Sequence, residues 1–191
     1  MTSELLARLR KALAGPAPKA PPPPGKREAP VLMLFDPARE GIPLLFVRRA
    51  DHLRLHAGQI GLPGGSREHG DRDIVATALR EAGEEVGVDP ADVEVIGSLP
   101  ARLTHRSDLR LTPIAALQRR PFEVRGDGFE VAEWFWLPLH NLLAAGHRSE
   151  AWTAEPGETR LVHHYEVEGR TIWGVTGGIV HDLLERFGRG G

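Results

Sequence analysis

The sequence predicts an α/β (α+β) fold, a mixed β-sheet sandwiched between helices, on three observations. Short apolar runs bounded by Gly, Pro and Asp recur from Val31 onward. One amphipathic segment, Asp73–Val86, interrupts them, and a second, Thr176–Phe187, follows the last of them. Strands with one helix among them and another at the end bury their apolar faces most simply as a sheet covered by helices.

In order along the chain, residues 3–14 place Leu5, Leu6, Leu9 and Leu13 at helical spacing, with Ser3 as N-cap and Gly15 as the stop. This helix is expected to dock on the domain or on a partner. Residues 16–30 are Pro-rich, a composition expected to stay in polyproline II or disorder as a spacer, with an SH3-like ligand as the lesser reading. The expected division is therefore an N-terminal helix and Pro-rich leader over 1–28 and a folded domain over 29–188.

Val31–Phe35 and Ile42–Arg48 read as a hairpin, and Gln59–Leu62 as a short strand running into two glycines. In the Asp73–Val86 helix, Val75, Ala78, Leu79, Ala82 and Val86 form the apolar side, and Gly87 ends it. Val93–Leu99, Leu109–Leu117 and Glu130–Leu137 read as strands, and Leu139–Ala145 as a short helix. Arg148–Arg160 reads as a mobile loop, and Leu161–Val167 with Arg170–Val175 as a second hairpin around Glu168–Gly169.

Composition bounds the function. A net charge of −2 gives no general affinity for nucleic acid, so any basic site is local. The chain has no cysteine, which excludes disulfides, thiolate metal sites and Cys nucleophiles. No apolar run approaches the roughly 18–20 residues of a membrane helix, and Glu4 with no long apolar core argues against a signal peptide. The expectation is a cytoplasmic protein acting on a small molecule, without membrane or nucleic-acid partners. Oligomeric state is not legible.

The chemistry concentrates in Pro63–Val88. Glu81, Glu84 and Glu85, at i, i+3 and i+4, share one helix face behind Gly64 and Gly65. Like charges so placed repel by roughly 0.2–0.5 kcal/mol per pair. A solvated acidic face or a divalent cation accounts for such a cluster, and oxygen-only ligands point to a hard ion, Mg²⁺ or Mn²⁺.

Gly65, five residues, Asp71, eight residues, then Arg80-Glu81-Ala-Gly-Glu84-Glu85-Val-Gly87-Val resembles the Nudix box, G-x5-E-x7-REUxEExGU. It departs in having Asp71 for Glu and one extra loop residue. Both departures are similar to the coenzyme A pyrophosphatase branch. So is the upstream stretch LLFVRRADHLRLHAGQIGLPGG, set against LLTxRSAxxxRxxxGxxxFPGG, with Phe46, Arg49 and Leu62 where that pattern has Thr, Ser and Phe. IWGVTGG resembles the branch's closing segment, with Gly177 where Ala is usual.

The resemblance spans about residues 30–187. It implies a Nudix-like fold, and hydrolysis of the coenzyme A diphosphate, and possibly of its thioesters, to 4′-phosphopantetheine and adenosine 3′,5′-bisphosphate. The rivals are the same reaction on ADP-ribose, a dinucleotide or an NTP, and a non-catalytic nucleotide-binding module. Against the module stand the retained Glu81, Glu84 and Glu85; an isomerase on the same fold would need a Cys or equivalent acid in the site.

On this reading Gly65, Glu81, Glu84 and Glu85 are the metal residues, and Arg80 holds Glu84. The catalytic set is Arg80, Glu81, Glu84 and Glu130, with the general base open among Glu81, Glu130 and Glu133. Arg48, Arg54, Gly58 and Gly64 are the substrate-binding residues. Arg guanidinium groups suit bidentate phosphate, so Arg48 and Arg54, which match the signature, are preferred to Arg49 and His56. Arg102, His105 and Arg106 are expected as solvated loop residues. Trp134, Trp136 and Trp173 are expected in core or interface, and His163 and His164 as structural residues without metal-site companions.

Overall fold

The computed structural model describes residues 2–17, 20–104, 107–155 and 158–188. At its centre β1 (Arg27–Phe35) runs parallel to β6 (Leu109–Gln118), paired from Arg27 with Leu109 to Phe35 with Leu117. β1 is buried at every position after Arg27, so it reads as a continuous apolar run rather than an alternation. Val31, Met33 and Phe35 enter one core, and Leu32 and Leu34 the other.

β2 (Leu44–Arg49) returns antiparallel to β1 and pairs with β3 (Ile60–Gly61) and β7 (Val131–Leu137). β4 (Val93–Ser98) and β5 (Arg102–Leu103) both pair antiparallel with β6, completing a seven-stranded mixed sheet. One face is covered by α2 (Ile74–Val86), whose Ala78, Ala82 and Val86 pack on Leu32, Leu34, Leu45 and Val47.

The opposite face carries α1 (Thr2–Leu13), α3 (Leu139–Ala144) and α4 (Gly174–Gly188). With them lies a second sheet of three antiparallel strands, β8 (Gly146–Glu155), β9 (Glu158–Val167) and β10 (Arg170–Ile172). The expected mixed sheet between helices is thus the architecture observed.

Two expectations change and one open alternative is resolved. The segment 16–30 does pack at its end: Arg27–Pro30 already belongs to β1, where buried Glu28 pairs with Arg110. The same Arg110 donates to the carbonyls of Ala20 (2.8 Å) and Pro21 (3.0 Å), holding the Pro-rich stretch to the sheet. Helix α1 docks on the domain, with Leu9 and Leu13 fully buried and Arg8 lying over the Phe187 ring of α4. Finally, Arg148–Arg160 is no loop, because β8 and β9 pair through it from Gly146 with Glu166 to Glu155 with Glu158. Among the described residues, no helix is long and apolar enough to cross a membrane.

Candidate active site

The site forms where the turn after β3 meets α2. Asp73 starts this helix, its Oδ1 accepting from the Ala76 N–H at 2.8 Å, and Gly87 (φ 78°) ends it in the left-handed region. That fixes the rotation of α2 and therefore which carboxylates face inward. Gly64 sits at φ 153°, where a Cβ would lie 2.6 Å from Val31 Cα, so only glycine lets the turn lie against β1. Its N–H donates to Glu85 Oε2 at 2.9 Å. A Cβ on Gly65 would lie 2.5 Å from Glu81 Cδ. The bare glycine therefore makes the room in which the Glu81 carboxylate lies.

The three helix glutamates separate. Glu85 is buried, 6% exposed, and Glu81 is largely covered, whereas the Glu84 side chain is 62% exposed and turned to Arg80. Burial pushes the Glu85 carboxyl up to about 8; Glu130 and Glu81 add to this, while the Gly64 N–H and Arg49 oppose it. Glu81 is raised as well, by burial first, with Glu84 and Glu130 adding and Arg80 opposing. The third inward carboxylate is therefore Glu130, not Glu84.

Arg80 is the hub of the loop. Its Nε donates to Asp71 Oδ1 (3.0 Å), Nη1 to Glu84 (3.0 Å), and Nη2 to Glu81 (2.8 Å) and the Ser66 carbonyl (3.1 Å). Asp71 is the acid that anchors it. The Arg80 hydrogen bond, with help from the Glu68 N–H, holds the Asp71 carboxyl at about 2.

Glu130 does not swing on a flexible turn, as the Gly-Asp-Gly sequence suggests. The Asp127 carboxylate accepts from the N–H groups of Phe129, Glu130 and Val131 at 2.9–3.1 Å, and the Glu130 carbonyl accepts from Ala50 N–H. The turn is fixed, and Glu130 is aimed by it.

These groups open on a cavity of about 680 Å³, within the size range of small-molecule sites. Glu81, Glu130, Arg49, His56 and Gln59 line its polar part, and Leu55, Trp152, Val162, Trp173 and Ile179 its apolar part. Among the described residues Arg49, not Arg48, is the arginine that lines the cavity. Adjacent strand residues point to opposite faces, and β7 carries one extra residue, Ala132, between the partners of Arg48 and Arg49. Arg48 is held by Asp51 at 2.7 Å, and Glu133 lies at 3.8 Å. Arg49 reaches Glu130 (3.3 Å) and Glu85 (4.0 Å), and its buried Nε has no hydrogen-bond partner among the described residues.

Arg54 does not line the cavity, and Gly58 (φ 68°) abuts the Arg48–Asp51 pair instead. Glu133 is taken by Arg170 at 2.6 Å and lies outside the cavity, which leaves Glu81 and Glu130 as the candidate bases that reach it. Trp173 lines the cavity with His164 stacked on it, ring centroids 5.9 Å apart. Arg102 is paired with Asp182 (2.8 Å), while His105 and Arg106 lie outside the described residues.

The donor set suits a hard divalent cation. Glu81, Glu85 and Glu130 offer only oxygens, two of them are partly or fully desolvated, and the raised Glu85 carboxyl marks a place short of positive charge.

A glycine turn feeding a carboxylate helix on a mixed sheet is the arrangement of enzymes that hydrolyse nucleoside diphosphate-type substrates. The NUDIX domain family matches residues 25–157. The Nudix hydrolase NudL of Yersinia pestis is 38% identical over 143 residues, 75% of this chain and 71% of its own. The chain belongs to the Nudix family.

Solved structures agree in fold. A MutT/nudix family protein from Enterococcus faecalis superposes with TM-score 0.58 at 15% identity, over 98% of this chain and 69% of its own. The NUDIX domain of Shewanella oneidensis NrtR, solved with ADP ribose, gives 0.50 at 23% identity, over 62% and 77%.

Proposed function

We propose that the chain hydrolyses the diphosphate of coenzyme A, free or acylated, to 4′-phosphopantetheine and adenosine 3′,5′-bisphosphate. The observation that carries this reading is that Glu81, Glu130 and Arg49 line one cavity together with Leu55, Trp152, Val162 and Trp173, and that Glu85 lies behind them, 4.0 Å from Arg49. A diphosphate belongs beside the carboxylates and the cation, and a pantetheine arm along the apolar residues. The upstream LLFVRRADHLRLHAG stretch, similar to the coenzyme A pyrophosphatase branch, supports that choice of substrate.

Glu81 and Glu85 would hold the Mg²⁺ or Mn²⁺. When bound, the ion supplies charge neutralisation at the diphosphate and orientation of the attacked phosphorus. The Arg49 guanidinium, which lines the cavity, donates to phosphate oxygens through its terminal nitrogens. Arg80, anchored by Asp71, keeps Glu81 in place and draws Glu84 to the outer side. Glu130, half-exposed at the cavity, is the carboxylate placed to take the proton of an attacking water; Glu81 is more tightly held.

A second reading keeps the reaction and changes the substrate to ADP-ribose, a dinucleotide or an NTP. It is favoured by the position of Arg48 and Arg54, two expected phosphate cations that do not line the cavity. Product analysis after incubation with Mg²⁺ and equal coenzyme A, dephospho-coenzyme A or ADP-ribose decides. Preference for coenzyme A over its dephospho form is expected, and preference for ADP-ribose would sink the proposed substrate.

A further inference from the structure

Away from the carboxylates, three histidines meet between the second sheet and α4. His147 on β8, His163 on β9 and His181 on α4 each bring one ring nitrogen to within 4.8 Å of the others. His163 therefore has the metal-site companions that its sequence neighbourhood does not show. The pairing places His147 opposite Tyr165 and Ser149 opposite His163, so His147 and His163 are diagonal neighbours on one face. Their Nε2 and Nδ1 atoms are 3.1 Å apart.

Helix α4 is brought down onto this face by a glycine. A Cβ on Gly177 would collide with the His163 carbonyl oxygen. His181, one turn further on the same helix face, then stacks on His163 with ring centroids 3.8 Å apart. Gly177, where the resembling branch has Ala, thus sets the approach that completes the trio. The Tyr165 hydroxyl lies 3.0 Å from His181 Nδ1. By accepting the Nδ1 hydrogen it orients the ring and leaves Nε2 as the free lone pair.

We propose that His147, His163 and His181 form a second metal site, for a borderline divalent cation of the Zn²⁺ class. Three neutral imidazoles suit Zn²⁺, Ni²⁺ or Cu²⁺ and not the hard ions suited to Glu81 and Glu85. The two sites are therefore separable by ligand chemistry. His147 is exposed while His163 is buried, so the cluster opens outward and leaves a fourth position to solvent.

Binding needs the hydrogen shared by His147 and His163 to move to the far nitrogen of its own ring, and the His181 ring, stacked within 12° of parallel on His163, to turn until its lone pair meets the other two. The ion would join β8, β9 and α4 beside the cavity, whose wall includes His164 and Ile179 from the same elements.

The test is Zn²⁺ titration of the metal-stripped full chain by calorimetry, in excess Mg²⁺ to fill the carboxylate site. ¹⁵N spectra of the histidine rings are read in parallel. One equivalent is expected in the wild type and in Glu85→Gln, with ring nitrogens of three histidines shifting. His147→Ala, at an exposed position that leaves the fold intact, is expected to lose that equivalent. Tyr165→Phe is expected to weaken it by roughly 10–100-fold. Absence of Zn²⁺ binding in the wild type, retention in His147→Ala, or loss in Glu85→Gln would each overturn the proposal.

Discussion

Glu85 is a buried carboxyl that desolvation raises to about 8, and that sets what its replacement does. Glu85→Gln keeps an oxygen for the Gly64 N–H and removes the group that ionises when a cation sits beside it. The variant is expected to retain its fold by circular dichroism and thermal melting while turnover falls by roughly 100-fold or more. Full activity in Glu85→Gln would remove it from the metal set. Asp71 carries an acid-side prediction. Its carboxyl, normally near 3.8, is held at about 2 by Arg80 and the Glu68 N–H. A carboxyl depressed in the folded state stabilises at pH above its unfolded value and ceases to do so as pH falls through its folded one. The stability gap between wild type and Asp71→Asn is therefore expected to be full above pH 3.8 and to close towards pH 2. A gap that does not change over that range in acid-unfolding curves would show that Asp71 acts through something other than its charge on Arg80.

The turn before β7 aims Glu130, the proposed base, and α1 supplies core. Asp127→Ala removes the acceptor of three backbone N–H groups. It is expected to lower kcat with little change in thermal stability, since the turn lies on the surface. Loss of fold without loss of kcat per folded molecule would refute that role. Leu9→Ala opens a fully buried site between α1 and α4 and is expected to cost about 2–5 kcal/mol in urea unfolding. The elements legible in the sequence were those with one face buried and one wet, such as α2, or both buried, such as β1. β8 was not legible, because its residues from His147 to Thr153 are exposed and carry no alternation, only a backbone ladder to β9. Reading it as a loop also hid the companions of His163, since only strand register brings His147 near it.

Across the molecule, the reaction was more legible than the recognition. The box residues lie within about 25 positions of one another, so spacing alone gathers most of them: the Gly64–Gly65 turn, Asp71, Arg80, Glu81 and Glu85 meet, while Glu84 turns outward. The substrate cavity draws on β3, β6, β8, β9 and α4, and no local pattern reports which side chains meet there. The choice between Arg48 and Arg49 shows the limit most clearly, because adjacent strand residues point to opposite faces and only the assembled sheet decides which of the two cations faces the cavity.

The seating of α1 on α4 has a consequence for the order of assembly. Leu9 and Leu13 are translated long before the Ile179–Phe187 surface that covers them, and β1 likewise precedes its parallel partner β6 by some eighty residues. At about 5–20 residues per second, α1 leaves the ribosome roughly 10–30 s ahead of its seat. Through that interval β4, with Glu94 paired to Arg10, is already made, but the α4 part of the seat is not. A ribosome-bound chain stalled before Gly174 is expected to be more protease-sensitive at α1 than one from which α4 has emerged.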